Sequence, residues 1–164
     1  LTTSSAASDV YKRQLLMFTF TASADHHAEE KAVLAAVDKY YTARTDRDFN
    51  TMVAMESKSG VCSTNSDGSF HKACVTYTAE EYAKNYPDGL NNVYFPEATK
   101  LTKDAYLVRF YYEGVAGSDS QPYRTRVTTT WVSEDGSWVI RSQHYSSAAY
   151  GGVHQTVRSD FEDE

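Results

Sequence analysis

Arg124 to Ser147 reads RTRVTTTWVSEDGSWVIRSQHYSS, and no other stretch of the chain narrows the choice of fold so sharply. Two runs rich in Thr, Val, Trp, Tyr and Ile, residues that fit a pleated and half-buried surface, flank Ser133-Glu134-Asp135-Gly136-Ser137. Asp-Gly between such runs marks a β-hairpin, because Gly accepts the positive φ that a tight hairpin loop imposes. Arg124, Arg126, Arg141, Gln143 and His144 are threaded through this apolar fabric, as suits a sheet that lines a pocket for a polar molecule. Side chains alternate along a strand, so Trp138, Ile140, Ser142, His144 and Ser146 are expected on one face. Val139, Arg141, Gln143 and Tyr145 are expected on the other. Trp138 and Ile140 make the first face the more buried one, which places His144 in the pocket and Arg141 and Gln143 outside.

The chain upstream supplies helices. Residues 29–44, EEKAVLAAVDKYYTAR, have helical period, with Val33, Leu34, Val37, Tyr40 and Tyr41 on one stripe and acids in the first turn. Arg44 projects from the side of Val33 and Val37, where it either snorkels and caps the last carbonyls or points into a cavity as an anion ligand. Asp48 is placed to N-cap a short helix from Phe49 to Glu56. Thr78-Ala79-Glu80-Glu81 forms a capping box that starts another, carrying Tyr82 and Tyr86 and ended by Pro87-Asp88-Gly89. A strand is expected near Val93, and Ala105 to Glu113 reads as a second one that Arg109 interrupts. Helices on one face of an antiparallel sheet give an α+β domain. A curved sheet wrapped around a long N-terminal helix makes a cone whose open end is a pocket.

At 164 residues the chain holds one domain with one core. A net charge of -6 speaks against nucleic acid or an anionic membrane as partner. No apolar run approaches the ~20 residues that span a bilayer. Residues 1–14 contain Asp9-Val10-Tyr11-Lys12-Arg13-Gln14, which back-translates to a transposon mosaic end used in sequencing libraries; this stretch is read as translated adapter, the alternative being a natural polar leader. Residues 15–24 run from Leu15-Leu16-Met17-Phe18 to Ala22-Ser23-Ala24, the apolar region and cleavage site of a truncated signal peptide, or else a short apolar arm. The domain then covers residues 25–149, and 150–164 form a disordered acidic tail. Cys62 and Cys74 flank a run with Asp-Gly at its middle; if that run is a hairpin they are expected to pair in an oxidising compartment, closing a loop worth about 2–3 kcal/mol, the alternative being two free buried thiols. The chain is therefore expected to be secreted or periplasmic.

The order of elements, Asp48-Phe49 after the first helix, Trp131 followed by Glu134-Asp135-Gly136-Ser137-Trp138, and Ile140 with His144 and Ser146 beyond, resemble the nuclear transport factor 2-like superfamily over residues 29–147. The resemblance is in particular to the SnoaL-like branch and the related association domain of calcium/calmodulin-dependent kinase II. The resemblance implies a cystatin-like cone, and a superfamily that includes isomerases, dehydratases, hydrolases and oligomerisation hubs. It also implies that Thr129 and Tyr145 stand where the kinase hub carries two pocket arginines, so that hub's carboxylate clamp is not reproduced.

Proton-transfer chemistry needs a buried carboxylate or His beside an oxyanion donor. Asp38 lies at the margin of the helical stripe, Glu113 leads into a turn, and a His on a strand is commonly structural, so no catalytic residue is assigned. The expected function is an exported binding domain for a small polar or anionic ligand, homodimeric or larger through the outer sheet face. Tyr41, Arg44, Arg109, Tyr111, Trp131 and His144 are the candidate ligand residues. A small isomerase, dehydratase or hydrolase using the same pocket is the alternative, and a pure oligomerisation module, with a filled cone and an apolar outer face, is the second. No cofactor or metal is assigned; an Asp25-His26-His27 terminus offers nitrogens for copper(II) or nickel(II), against the plainer reading of two solvated histidines.

Overall fold

A computed structural model describes residues 27–65, 73–116 and 122–146. The stretches read above as adapter, signal peptide and acidic tail, together with Asp25-His26 and Asp67-Gly68, lie outside the described residues. Helix α1 occupies residues 27–46. Helix α2 (Phe49–Ala54), strand β1 (Cys62–Asn65), helix α3 (Ala79–Asn85) and strands β2 (Gly89–Thr102), β3 (Ala105–Ala116), β4 (Tyr123–Glu134) and β5 (Ser137–Ser146) follow. The five strands form one curved, open sheet in the order β1-β5-β4-β3-β2. This is the α+β architecture that the sequence leads one to expect, with two differences. Strand β2 starts at Gly89 rather than near Val93, and β1 joins the otherwise antiparallel sheet by lying parallel to β5, pairing Cys62 with Ser142. Val61 and Val75, on either side of the Asp-Gly run, form an isolated antiparallel bridge.

Local chemistry explains the boundaries. Asp48 accepts a hydrogen bond from the Thr51 amide at 3.1 Å and so caps α2. Thr78 and Glu81 make the reciprocal bonds of a capping box at α3. Asp135 and Gly136 both have positive φ, 50° and 78°, the pair that a two-residue hairpin turn with the right-handed twist of its strands demands.

The stripe of α1 packs on the concave face of the sheet. Val33, Val37, Tyr40 and Tyr41 meet Tyr106, Val108, Phe110 and Tyr112 of β3, Val127 and Trp131 of β4, and Ile140 and Tyr145 of β5. Edge-on ring contacts tie Tyr40 to Trp131 and Tyr41 to Phe110. Aromatic rings thus fill much of the hollow expected between helix and sheet.

One irregularity decides which residues face inward. Thr130 pairs with Ser142, but Trp131 pairs with Ile140, so Arg141 is an extra residue in β5. Such a β-bulge reverses the alternation of the strand beyond it. Ile140 is inside before the bulge, and Tyr145 is inside after it. His144 is thereby turned outward and exposed, which corrects its expected place in the pocket. Gln143 is correspondingly turned towards the interior network, not the outer face.

Candidate functional site

At the C-terminal end of α1 the aromatic filling becomes polar. The Arg44 guanidinium enters the cone instead of folding back over the helix terminus, and is half-buried there. Its Nε donates to the Tyr86 hydroxyl at 2.6 Å and its Nη1 to the Tyr145 hydroxyl at 2.7 Å. It lies 5.0 Å from the Tyr41 ring centre and 5.2 Å from that of Tyr86, a cation–π sandwich. Every hydrogen bond that Arg44 makes among the described residues goes to a phenol oxygen.

The phenols are linked in turn. Tyr41 and Tyr145 share a hydroxyl contact of 2.7 Å, and Tyr145 donates towards Gln143 Oε1 at 3.4 Å. With Arg44 donating and Tyr145 donating onward, the proton between the two phenols belongs to Tyr41, which orders the chain Arg44 and Tyr41 to Tyr145 to Gln143. Tyr86 and Tyr112 both donate to Asn91 Oδ1, at 3.2 and 2.7 Å. Asn91 is fixed from its backbone, whose N–H donates to Thr45 Oγ1 at 2.9 Å. Burial pushes the Tyr41, Tyr86 and Tyr112 phenols above their ordinary pKa even though the Arg44 charge pulls the other way. These three phenols stay neutral at physiological pH, so Tyr86 leaves the positive charge of the Arg44 it binds uncancelled.

A cleft of about 160 Å³ opens beside this network, lined among others by Tyr86, Asn91, Tyr112, Gly114 and Tyr123. Tyr123 is 45% exposed and stands at its rim. A second cluster lies beyond the Tyr40 ring. Glu56, only 9% exposed, accepts from Tyr40 at 2.9 Å and from Tyr82 at 2.8 Å through one oxygen. Burial raises its pKa against the opposing hydrogen bonds from Tyr82 and Tyr40 and the field of Arg44.

The structure therefore divides the six candidate residues. Tyr41 and Arg44 meet in the polar network. Trp131 is wholly buried and donates its indole N–H to Thr129 Oγ1 at 2.9 Å, which makes it a core residue and not a pocket wall. Arg109 and Tyr111 sit on the convex face, where they line a separate cleft of about 420 Å³ with Phe95, Glu97 and Arg126. Arg109 is ion-paired with Glu97 at 2.7 Å. His144 shares that convex side. Alternation alone accounts for Arg109 and Tyr111, since Val108, Phe110 and Tyr112 point inward. Tyr86, Tyr145, Asn91, Tyr112 and Glu56 complete the inner site and escaped sequence reasoning. The tyrosine pair one turn apart on α3 was the only pointer to Tyr86, and the bulge concealed Tyr145.

A model of the SnoaL-like domain family matches residues 33–150. No curated protein matches the chain in sequence. Among solved structures, a nuclear transport factor 2-like protein of Shewanella oneidensis is 19% identical, with a TM-score of 0.56 over 71% of this chain and 98% of its own. A hexachlorocyclohexane dehydrochlorinase of type 2 is 13% identical, with a TM-score of 0.59 over 83% of this chain and 98% of its own. The kinase II hub homology domain of Chlamydomonas reinhardtii is 16% identical, with a TM-score of 0.55 over 72% of this chain and 96% of its own. At these identities the likeness is one of fold.

Proposed function

The chain belongs to the SnoaL-like domain family, and from that premise we propose that it binds a small organic anion at the Arg44 end of the cone. One observation carries the reading: a guanidinium held inside the domain by phenol oxygens, one of which belongs to Tyr86, a residue that lines a cleft. A half-buried cation that binds phenol oxygens attracts an anion more strongly than a fully solvated one, because less water is left to screen it. The cleft is small, about 160 Å³, or roughly five times the liquid volume of a water molecule. Tyr86, Tyr112 and Tyr123 supply flat apolar walls, so a planar carboxylate suits it best. Tyr145, at the position that the hub resemblance gives to a pocket arginine, meets the guanidinium of Arg44 instead.

The domain acts after export, a reading supported by the Cys62–Cys74 disulfide. No helix among the described residues is long and apolar enough to cross a membrane. Two copies pair through the convex face of the sheet, where Phe95 and Tyr111 lie among charged residues.

A lyase or isomerase is the second reading, favoured by Glu56, a buried carboxyl with a raised pKa. A general base must reach its substrate, and Glu56 is a buried side chain whose Oε1 is already engaged by two phenols. Binding is the reading adopted.

Benzoate, acetate and chloride test the binding of an anion by calorimetry and thermal melting. Benzoate is expected to bind and raise the melting temperature, following the ordinary linkage of ligand to stability. Arg44→Gln, and independently Tyr86→Phe, are expected to weaken it about tenfold or more. Absence of binding by both carboxylates to the wild-type protein would sink the proposal.

A further inference from the structure

We propose that the disulfide is a directed site of thiol exchange: a small-molecule thiolate attacks Cys74, and Cys62 departs as a thiolate held by Arg141. The inference does not draw on the ligand site. The two sulfurs of the Cys62–Cys74 bond stand in unlike surroundings. Cys74 is exposed, whereas Cys62 is half-buried in the edge strand β1. Arg141 Nη1 lies 3.1 Å from Cys62 Sγ and donates to the Gly60 carbonyl at 2.5 Å. Arg141 is also the extra residue of the β5 bulge. Bulges re-aim side chains, and this one points a permanent cation at one sulfur of the pair.

Thiol–disulfide exchange runs faster through the sulfur that leaves as the more stable thiolate, and a neighbouring guanidinium stabilises a thiolate. Both influences select the same direction. The incoming thiol gives its proton to solvent, and its sulfur forms a bond to Cys74 Sγ. The Cys62–Cys74 bond breaks, and its electron pair leaves on Cys62 Sγ beside Arg141. The thiol is joined to Cys74 as a mixed disulfide, and the two-electron exchange requires no other oxidant or reductant. Val61 and Val75 exchange backbone hydrogen bonds of 2.7 and 3.2 Å, which hold the two chain segments together when the sulfur bridge opens. Cys62 therefore remains in place to attack Cys74 Sγ and expel the thiol, making the modification reversible.

The test uses the folded full chain incubated with glutathione, quenched with iodoacetamide and mapped by peptide mass spectrometry. Glutathione on Cys74 with alkylated Cys62 is expected to exceed the reverse labelling by about tenfold. In urea, where Arg141 is no longer beside Cys62, the ratio is expected to fall towards one. Arg141→Lys is expected to keep most of the bias and Arg141→Met to lose the part that the cation supplies, leaving only the smaller preference set by the exposure of Cys74, with circular dichroism showing that both variants fold. Equal labelling in the folded protein, a majority of glutathione on Cys62, or an unchanged bias in Arg141→Met overturns the proposal.

Discussion

Glu56 has a pKa raised chiefly by burial, and this makes stability depend on pH in a direction opposite to that of an ion-paired acid. A carboxyl with a higher pKa in the folded state binds its proton more tightly there than in the unfolded chain. Its contribution is present in full below the unfolded value and is lost as pH rises through the folded value. Glu56→Gln removes the titration while keeping an oxygen for Tyr40 and Tyr82. Urea midpoints of the variant and the wild type are expected to diverge in the variant's favour as pH rises above the ordinary Glu value of about 4. A difference that stays constant across this range contradicts the assignment. Neither Glu56 nor Tyr145 was legible as a site residue. Glu56 follows a helix and precedes a loop, where an acid is ordinarily solvated, and only the arrival of Tyr82 from α3 encloses it. Tyr41 and Arg44 were legible because α1 is regular, so an off-pattern charge on its apolar stripe stands out.

Among the elements, turns are where sequence and backbone correspond most tightly. Gly60 and Gly136 both have positive φ, 85° and 78°, yet they differ in what surrounds them. A Cβ on Gly136 meets nothing within 4 Å, whereas one on Gly60 falls 3.0 Å from the backbone of Val75. Gly136→Ala is therefore expected to cost about 1 kcal/mol, the conformational term alone. Gly60→Ala adds a clash against backbone that cannot turn aside, for roughly 2–5 kcal/mol in all. Chemical denaturation ranks the two, and equal losses would refute the steric argument. Asp135-Gly136 announced its hairpin, and Thr78-Ala79-Glu80-Glu81 its helix, because each is specified by residues within a few positions. The bulge at Arg141 is specified by packing between strands and has no local signature. It alone moved His144 outward and Tyr145 inward.

For the whole molecule, the cross-strand pairs Glu97–Arg109 and Glu113–Arg124 give the convex face a charged character. That character fits a moderate, polar interface better than a purely hydrophobic one. Sedimentation is expected to show a two-copy mass, and Tyr111→Asp to convert it to monomer without loss of helical signal. A wild-type monomer at tens of micromolar excludes the pairing. The α+β cone as a whole was legible from element order, since a long amphipathic helix and successive β-rich runs leave few ways to bury their apolar sides. The parallel alignment of β1 with β5 was not, because it joins Ser63 to Gln143 across 80 positions. Such a pairing carries a consequence for how the molecule comes into being. Hairpin neighbours β2 to β5 can zip from contacts close along the chain, while β1 must await the far end before it finds a partner. During synthesis, the first half emerges with its helical stripe uncovered and its edge strand unmatched, and the fold closes only when the last strand has been made.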